Sequence, residues 1–306
     1  MLDEMADGAG LWVGSASAGS LVRGEAAMFT TRRLSEVMGV AIEGVDLSRP
    51  LSDAEFREIQ QAFWDGQVLA IKGQHLEPGQ YLAFARRFGT PQPHVIDQFH
   101  YPGYPDILIL SNGVENGKPI GLADGGSYFH TDYSYLAVPA RVTMLYSVEV
   151  PKKGGNTLFA DMYRAYDDLP DATRRRIDEL VVLHHYGNRD DLDERSRTAA
   201  SPLTEEQKSR VDWVRHKLVR THPGTGRKAL YAVSGSSFEI EGMKREEGVA
   251  LLDELKAHAL QDKYRFSYFY DVGDVVLWDD LATLHSATLT DPNDRRTLWR
   301  ITLIED

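Results

Sequence analysis

The sequence predicts an α+β fold: a barrel or jelly roll of short strands with helices packed around it. Two observations predict it. Strand-like runs are numerous and short, and most of the later ones have Gly or Pro between them. Helix signals concentrate before residue 90 and again near 204–259. After residue 28 there is no linker-like stretch and no internal repeat, so 28–306 reads as one domain. Residues 1–27, rich in Gly, Ala and Ser and without a period of 2 or 3.6, read as a flexible arm that Trp12 and Val13 could dock.

Each element has a local cause. Ser52 and Glu55 form a capping box, in which a hydroxyl and a carboxylate satisfy free N–H groups at a helix start. Phe56, Ile59 and Phe63 then line one face. Pro78 starts a second helix, with Tyr81, Leu82, Ala85 and Phe88 following and Gly89 ending it. A second capping box at Thr204–Gln207 predicts a third helix through Val211, Val214 and Leu218. A fourth is expected from Glu246 to Ala259, carrying Val249, Leu252 and Leu255. Strands are expected at Val68–Lys72, Ile107–Leu110, Arg141–Val150, Thr157–Asp161, Leu180–His185, Phe266–Tyr270, Val275–Trp278 and Leu298–Ile304.

Composition narrows the chemistry. The 306 residues carry a net charge of −12, which disfavours nucleic acid and anionic membrane surfaces as partners. There is no cysteine, so disulfides, thiolate metal sites and a cysteine nucleophile are excluded. Any metal must be held by nitrogen and oxygen, and the ten histidines are where to look. No apolar run has the ~18–20 residues that span a bilayer, and the N-terminus lacks a signal-peptide pattern, so the expected location is cytoplasmic.

His130-Thr131-Asp132 is the most informative tripeptide. On a strand, residues i and i+2 share a face, which suits two ligands of one metal; the same pair also reads as surface residues bonded to each other. His285, following Trp278-Asp279, would complete a 2-His-1-carboxylate triad. Arg296 and Arg300 share one face of the last strand with Leu298 and Thr302, opposite apolar Trp299, Ile301 and Leu303. Two guanidinium groups there either face solvent or bind anions inside the barrel.

These residues, with Gly154-Gly155-Asn156-Thr157-Leu158, Gly44–Leu51 and Ala83–Gly89, resemble the taurine dioxygenase/2,4-dichlorophenoxyacetate dioxygenase (TauD/TfdA) family over roughly 30–304. The resemblance implies a double-stranded β-helix (jelly-roll) core, with flanking helices and an insertion between the metal-ligand strands. It implies an oxidoreductase that uses Fe(II), O2 and 2-oxoglutarate to hydroxylate a C–H bond of a small anionic substrate, releasing succinate and CO2. His130, Asp132 and His285 would hold the iron. Thr157 and Arg296 would hold the distal carboxylate of 2-oxoglutarate. Arg300 falls near the substrate anion or the cosubstrate, and His94 matches either a substrate-facing histidine or a loop histidine. Further substrate contacts are expected in the Leu122–Tyr135 loop and the insertion after Asn188. A homo-oligomer is a family expectation.

The sequence departs from the family where Asp280 and Leu281 follow Trp278-Asp279 in place of Asn-Arg, and His184-His185 adds a histidine, read as structural. Two alternatives remain at this level. One is a biosynthetic oxygenase giving desaturation or another rerouted outcome on an amino-acid-like substrate. The other is a non-catalytic jelly-roll module that binds a small anion, which the intact triad with Arg296 disfavours.

Overall fold

A computed structural model describes residues 29–123, 125–186, 206 and 212–304. In chain order, β1 (Thr30–Arg33), β2 (Val40–Glu43), α1 (Asp53–Gly66), β3 (Val68–Ile71) and α2 (Pro78–Ala85) come first. They are followed by β4 (Thr90–Pro91), β5 (His100–Tyr101), β6 (Tyr104–Ser111), the short pair β7 (Val114–Glu115) and β8 (Lys118–Pro119), β9 (Ala140–Glu149) and β10 (Thr157–Asp161). Helices α3 (Met162–Asp167) and α4 (Asp171–Ile177) lead into β11 (Val181–His184), β12 (Val214–Lys217), β13 (Val219–Thr221), β14 (Lys228–Leu230), β15 (Ser237–Ile240) and α5 (Arg245–Ala259). The chain ends on β16 (Arg265–Tyr268), β17 (Val275–Asp279), β18 (Thr283–Ala287) and β19 (Thr297–Ile304).

The main sheet runs β1-β2-β3-β17-β9-β19-β6-β5, with β4 added at β19. A small sheet, β16-β10-β18, faces it. Strand alternation decides which residues lie between the two. Val275 and Leu277 point to the layer shared with Ile59 and Phe63 of α1 and Tyr81 of α2. Val276 and Trp278 point the other way, where Leu145 and Leu298 of the main sheet meet Phe159 and Tyr268 of the small one. That arrangement is the jelly roll, and the interior of the roll opens into the site.

Most expected elements are present within a residue or two. The capping box at Ser52 and Glu55 is formed, and Thr157–Asp161 matches its expected bounds. Helix α2 stops at Ala85, capped by Arg86, short of Gly89. The expected helix through Val214 and Leu218 is corrected: Val214–Lys217 and Val219–Thr221 are strands. Val214 pairs with His184 and Val219 with Leu230, so available strand partners override a three-to-four spacing that also suits a helix. Among its described residues, the insertion is therefore strands β12–β15 plus α5, with Glu206 also helical. Residues 1–27 and the capping box at 204–207, except Glu206, lie outside the described residues, as do 187–205 after the first insertion strand.

Candidate metal centre

His130 and His285 face each other on one antiparallel rung. Each backbone N–H donates to the other's carbonyl at 2.9 Å. Directly opposed residues on such a rung point to the same side, which puts their rings 4.3 Å apart by centroid. His285 belongs to β18, but the expected strand through His130-Thr131-Asp132 is corrected: His130 makes an isolated bridge and Asp132 sits on a turn. Tyr133 adopts φ 51°, which turns the chain so that the Asp132 carboxylate comes back to the rings. Asp132 Oδ1 lies 3.5 Å from His130 Nε2, and Oδ2 lies 3.6 Å from His285 Nε2. One donor atom from each of the three residues lies within 4.8 Å of the others.

The donors are also in the right chemical state. His130 Nδ1 lies 2.7 Å from the Tyr128 carbonyl, which can only accept, so Nδ1 carries the proton and the Nε2 lone pair faces Asp132. Burial, then His130, holds His285 well below the usual histidine range and keeps one ring-nitrogen lone pair available. Burial opposes charge on Asp132, but Arg300, then His285 and His130, overcome it and hold the carboxyl well below its usual range. Two imidazoles and a carboxylate, gathered on one side of a buried space, fit a divalent transition metal with open positions.

Outer contacts fix this set. The Thr143 hydroxyl lies 2.7 Å from Asp132 Oδ2 and 2.8 Å from Asp280 Oδ2, so one side chain ties the two carboxylates together. Asp280 Oδ1 accepts from the Asp132 N–H at 3.3 Å and from the Trp278 indole at 3.2 Å. The departure at Asp280 therefore places a second carboxyl behind the first. Burial, and then Asp132, push its pKa well above the ordinary value. Beyond it, His222 Nδ1 accepts from the Gly224 and Thr225 N–H groups, and its Nε2 lies 2.6 Å from Asp279 and 2.7 Å from a terminal nitrogen of Arg141. Gly126, at φ 121°, packs on the His130 ring, and a Cβ there would stand 2.4 Å from it.

Thr157, Arg296 and Arg300 line the same pocket as Asp132, His285 and Trp278, about 370 Å³ including its open mouth. Arg296 Nε donates to the Gly155 carbonyl at 3.0 Å. A Cβ on Gly155 would come within 2.9 Å of that arginine, and its φ of 67° also favours glycine. Arg300 is buried, donates from Nε to Thr302, and places a terminal nitrogen 2.7 Å from Asp132 Oδ1. Both arginines thus line the interior pocket. His94 sits at the flank, its ring 5.8 Å from Tyr133, whose own ring stands under Arg300. Nδ1 of His94 accepts from the Ile96 N–H, and burial, followed by Arg300, pushes its pKa down to about 3. His184, read as structural, is buried away from this pocket beside His216 and Tyr231.

The family model described as "Taurine catabolism dioxygenase TauD, TfdA family" matches residues 30–302. The chain belongs to the TauD/TfdA family. It is 33% identical to the alpha-ketoglutarate-dependent 2,4-dichlorophenoxyacetate dioxygenase of Cupriavidus pinatubonensis over 284 residues, 89% of this chain and 96% of that one. It is 32% identical to pentalenolactone F synthase of Streptomyces arenae, over 88% of this chain and 93% of that one. The solved structure of AAD-2 in complex with Mn(II) and N-oxalylglycine is similar with a TM-score of 0.75 and 30% identity, covering 91% and 98% of the two chains. The TauD/TfdA chain is thus an Fe(II)- and 2-oxoglutarate-dependent dioxygenase. Among the described residues, no helix is long and apolar enough to cross a membrane.

The sequence did not single out Thr143 or His222, and it reached Tyr133 only as part of the Leu122–Tyr135 loop. Asp280 carried a signal, its departure from the family's Asn, but not its position behind Asp132.

Proposed function

We propose that His130, Asp132 and His285 hold the Fe(II), that Thr157 and Arg296 bind the distal carboxylate of 2-oxoglutarate, and that Arg300 and His94 flank an anionic substrate. The convergence of three donor atoms within 4.8 Å, beside Thr157 and Arg296 in one pocket, carries this reading. When bound, the iron supplies oxidation of a substrate C–H bond, coupled to conversion of 2-oxoglutarate to succinate and CO2.

The protein's part is binding and orientation. The Arg296 guanidinium is a planar fork that pairs with a carboxylate in two places, and Gly155 anchors it from behind. The Tyr128 carbonyl aims His130, and Thr143 holds the Asp132 oxygen. Arg300 supplies positive charge beside Asp132, facing the Tyr133 ring. Tyr135 and Tyr186 extend that aromatic wall, their rings 4.6 Å apart. An anion attached to an aromatic group suits this combination. The relatives named for 2,4-dichlorophenoxyacetate and (S)-phenoxypropionate support an aryloxy-carboxylate. The acidic overall balance supports a small-molecule partner over nucleic acid.

The test is succinate formation across aryloxyacetates, sulfonates and amino acids, with Fe(II) and 2-oxoglutarate supplied. Aryloxy-carboxylates are expected to raise succinate above the substrate-free level. Stimulation by amino acids alone would move the assignment to the biosynthetic reading, which the similarity to pentalenolactone F synthase supports.

A further inference from the structure

The wall that carries Thr157 and Arg296 holds a third polar side chain. Thr157 pairs with Tyr268 of β16 on one side and Ala287 of β18 on the other. Two residues past Tyr268, the chain leaves the sheet and Tyr270 reaches back over Thr157, its phenol oxygen 2.8 Å from Thr157 Oγ1. The Tyr270 ring is held edge-on by Tyr268 at 5.1 Å, and Tyr268 in turn donates to the buried Asp274 at 2.7 Å. The Arg296 guanidinium lies 5.9 Å from the same ring. Tyr270 therefore touches the Thr157 hydroxyl and lies beside the guanidinium that lines the same pocket.

Two hydroxyl groups joined by one hydrogen bond have two protons, and one is used between them. A phenol is a better donor and a poorer acceptor than an aliphatic alcohol. The stable arrangement has Tyr270 donating to Thr157, which leaves the Thr157 O–H to donate to something else. Thr157 and Arg296 both line the pocket, so the remaining proton and the guanidinium can meet one anionic group there. Burial pushes the Tyr270 phenol up to about 12, so it keeps its proton at neutral pH.

We propose that Tyr270 is a positioning residue of the cosubstrate subsite, whose phenol fixes the Thr157 hydroxyl as a donor to the distal carboxylate of 2-oxoglutarate. This rests on the assignment of Thr157 and Arg296 given above. Without the phenol, the Thr157 hydroxyl is free to rotate and its donor direction is no longer set.

The experiment is calorimetric binding of 2-oxoglutarate and of 2-oxobutanoate, which lacks the distal carboxylate, to Mn(II)-loaded protein without O2. Tyr270→Phe keeps the ring and removes the oxygen. It is expected to weaken 2-oxoglutarate roughly threefold to tenfold, the range of one hydrogen bond, and to leave 2-oxobutanoate unchanged. Thr157→Val should weaken 2-oxoglutarate as well, and the double variant should bind no worse than Thr157→Val. Unaltered 2-oxoglutarate affinity in Tyr270→Phe would overturn the proposal, as would equal weakening of both acids or full additivity in the double variant. Arg296→Ala separates the two levels. If it weakens 2-oxoglutarate while Tyr270→Phe does not, only the role of Tyr270 falls. If Arg296→Ala leaves 2-oxoglutarate affinity intact, the subsite assignment falls with it.

Discussion

In the pocket, the rings of His130 and His285 stand 4.3 Å apart; between the insertion strands, those of His184 and His216 stand 5.3 Å apart. Burial lowers the pKa of His285 in the first pair and of both members of the second. The pairs differ in what surrounds them. Asp132 brings an oxygen to each pocket ring, and its neighbours hold it ionised. Around the second pair the nearest polar partners are the Ser236 hydroxyl at 3.3 Å from His184 and the Leu136 carbonyl at 2.9 Å from His216. Two close, neutral imidazoles are thus not enough for a metal site. A backbone carbonyl holds one ring in each pair, so the carboxylate makes the difference, and among the described residues His130, Asp132 and His285 form the cluster that has one.

The largest effect should separate the two pairs outright. His130→Ala or His285→Ala should abolish turnover, a loss of at least about a thousandfold for removal of a ligand from a three-ligand centre. His184→Leu should retain turnover within a fewfold, because its ring faces packing and not the pocket. Steady-state succinate formation checks both, and loss of turnover in a folded His184→Leu protein would break the comparison.

Arg296→Ala comes next. It should raise the 2-oxoglutarate concentration for half-maximal rate by about a hundredfold, the scale of a charge-assisted pair, while iron binding persists. An unchanged dependence on 2-oxoglutarate would remove Arg296 from the cosubstrate subsite.

Gly126→Ala sharpens the comparison from the packing side. The added methyl would stand 2.4 Å from the His130 ring, at a φ of 121° that L residues rarely adopt. It should weaken metal affinity about tenfold by displacing one donor. Metal affinity equal to the parent protein would show that the ring position is not set there.

The smallest effect belongs to the second pair and is read in stability. Burial, followed by His216, pushes the pKa of His184 down to about 3. The unfolded chain takes up that proton near pH 6.5, and the folded chain does not until about pH 3. The contribution of His184 is therefore complete above pH 6.5 and is lost as pH falls toward 3, by at most about 1.4 kcal/mol per pH unit. His184→Leu should make the pH dependence of denaturant-unfolding stability shallower over that range. An unchanged slope would show that His184 is not held neutral by the fold.

Parts of both regions were legible in the sequence. The helix at Ser52 announced itself through a local hydrogen-bonding pattern, β17 through a short continuous apolar run and β19 through alternating Trp299, Ile301 and Leu303, signals contained within a few positions. The three candidate metal ligands were legible because their types and order match a family, not because of local geometry. The turn at Tyr133 that returns Asp132 to the rings has no such signal. Thr143 and Tyr270 reach their places by pairing of distant strands, which no short window contains. The strands at Val214 and Val219 were misread for the same reason: their partners lie about 30 residues upstream and 11 downstream, at His184 and Leu230.

Anaerobic titration of metal-free protein with Fe(II), followed by 2-oxoglutarate, tests the central claim most directly. The visible absorbance from iron chelated by the 2-oxo acid is the readout. One Fe(II) per chain should bind, the band should need both additions, and it should vanish in His130→Ala and His285→Ala while surviving in His184→Leu. A band of normal intensity and one-to-one stoichiometry in His130→Ala would contradict the assignment of the metal to this pocket.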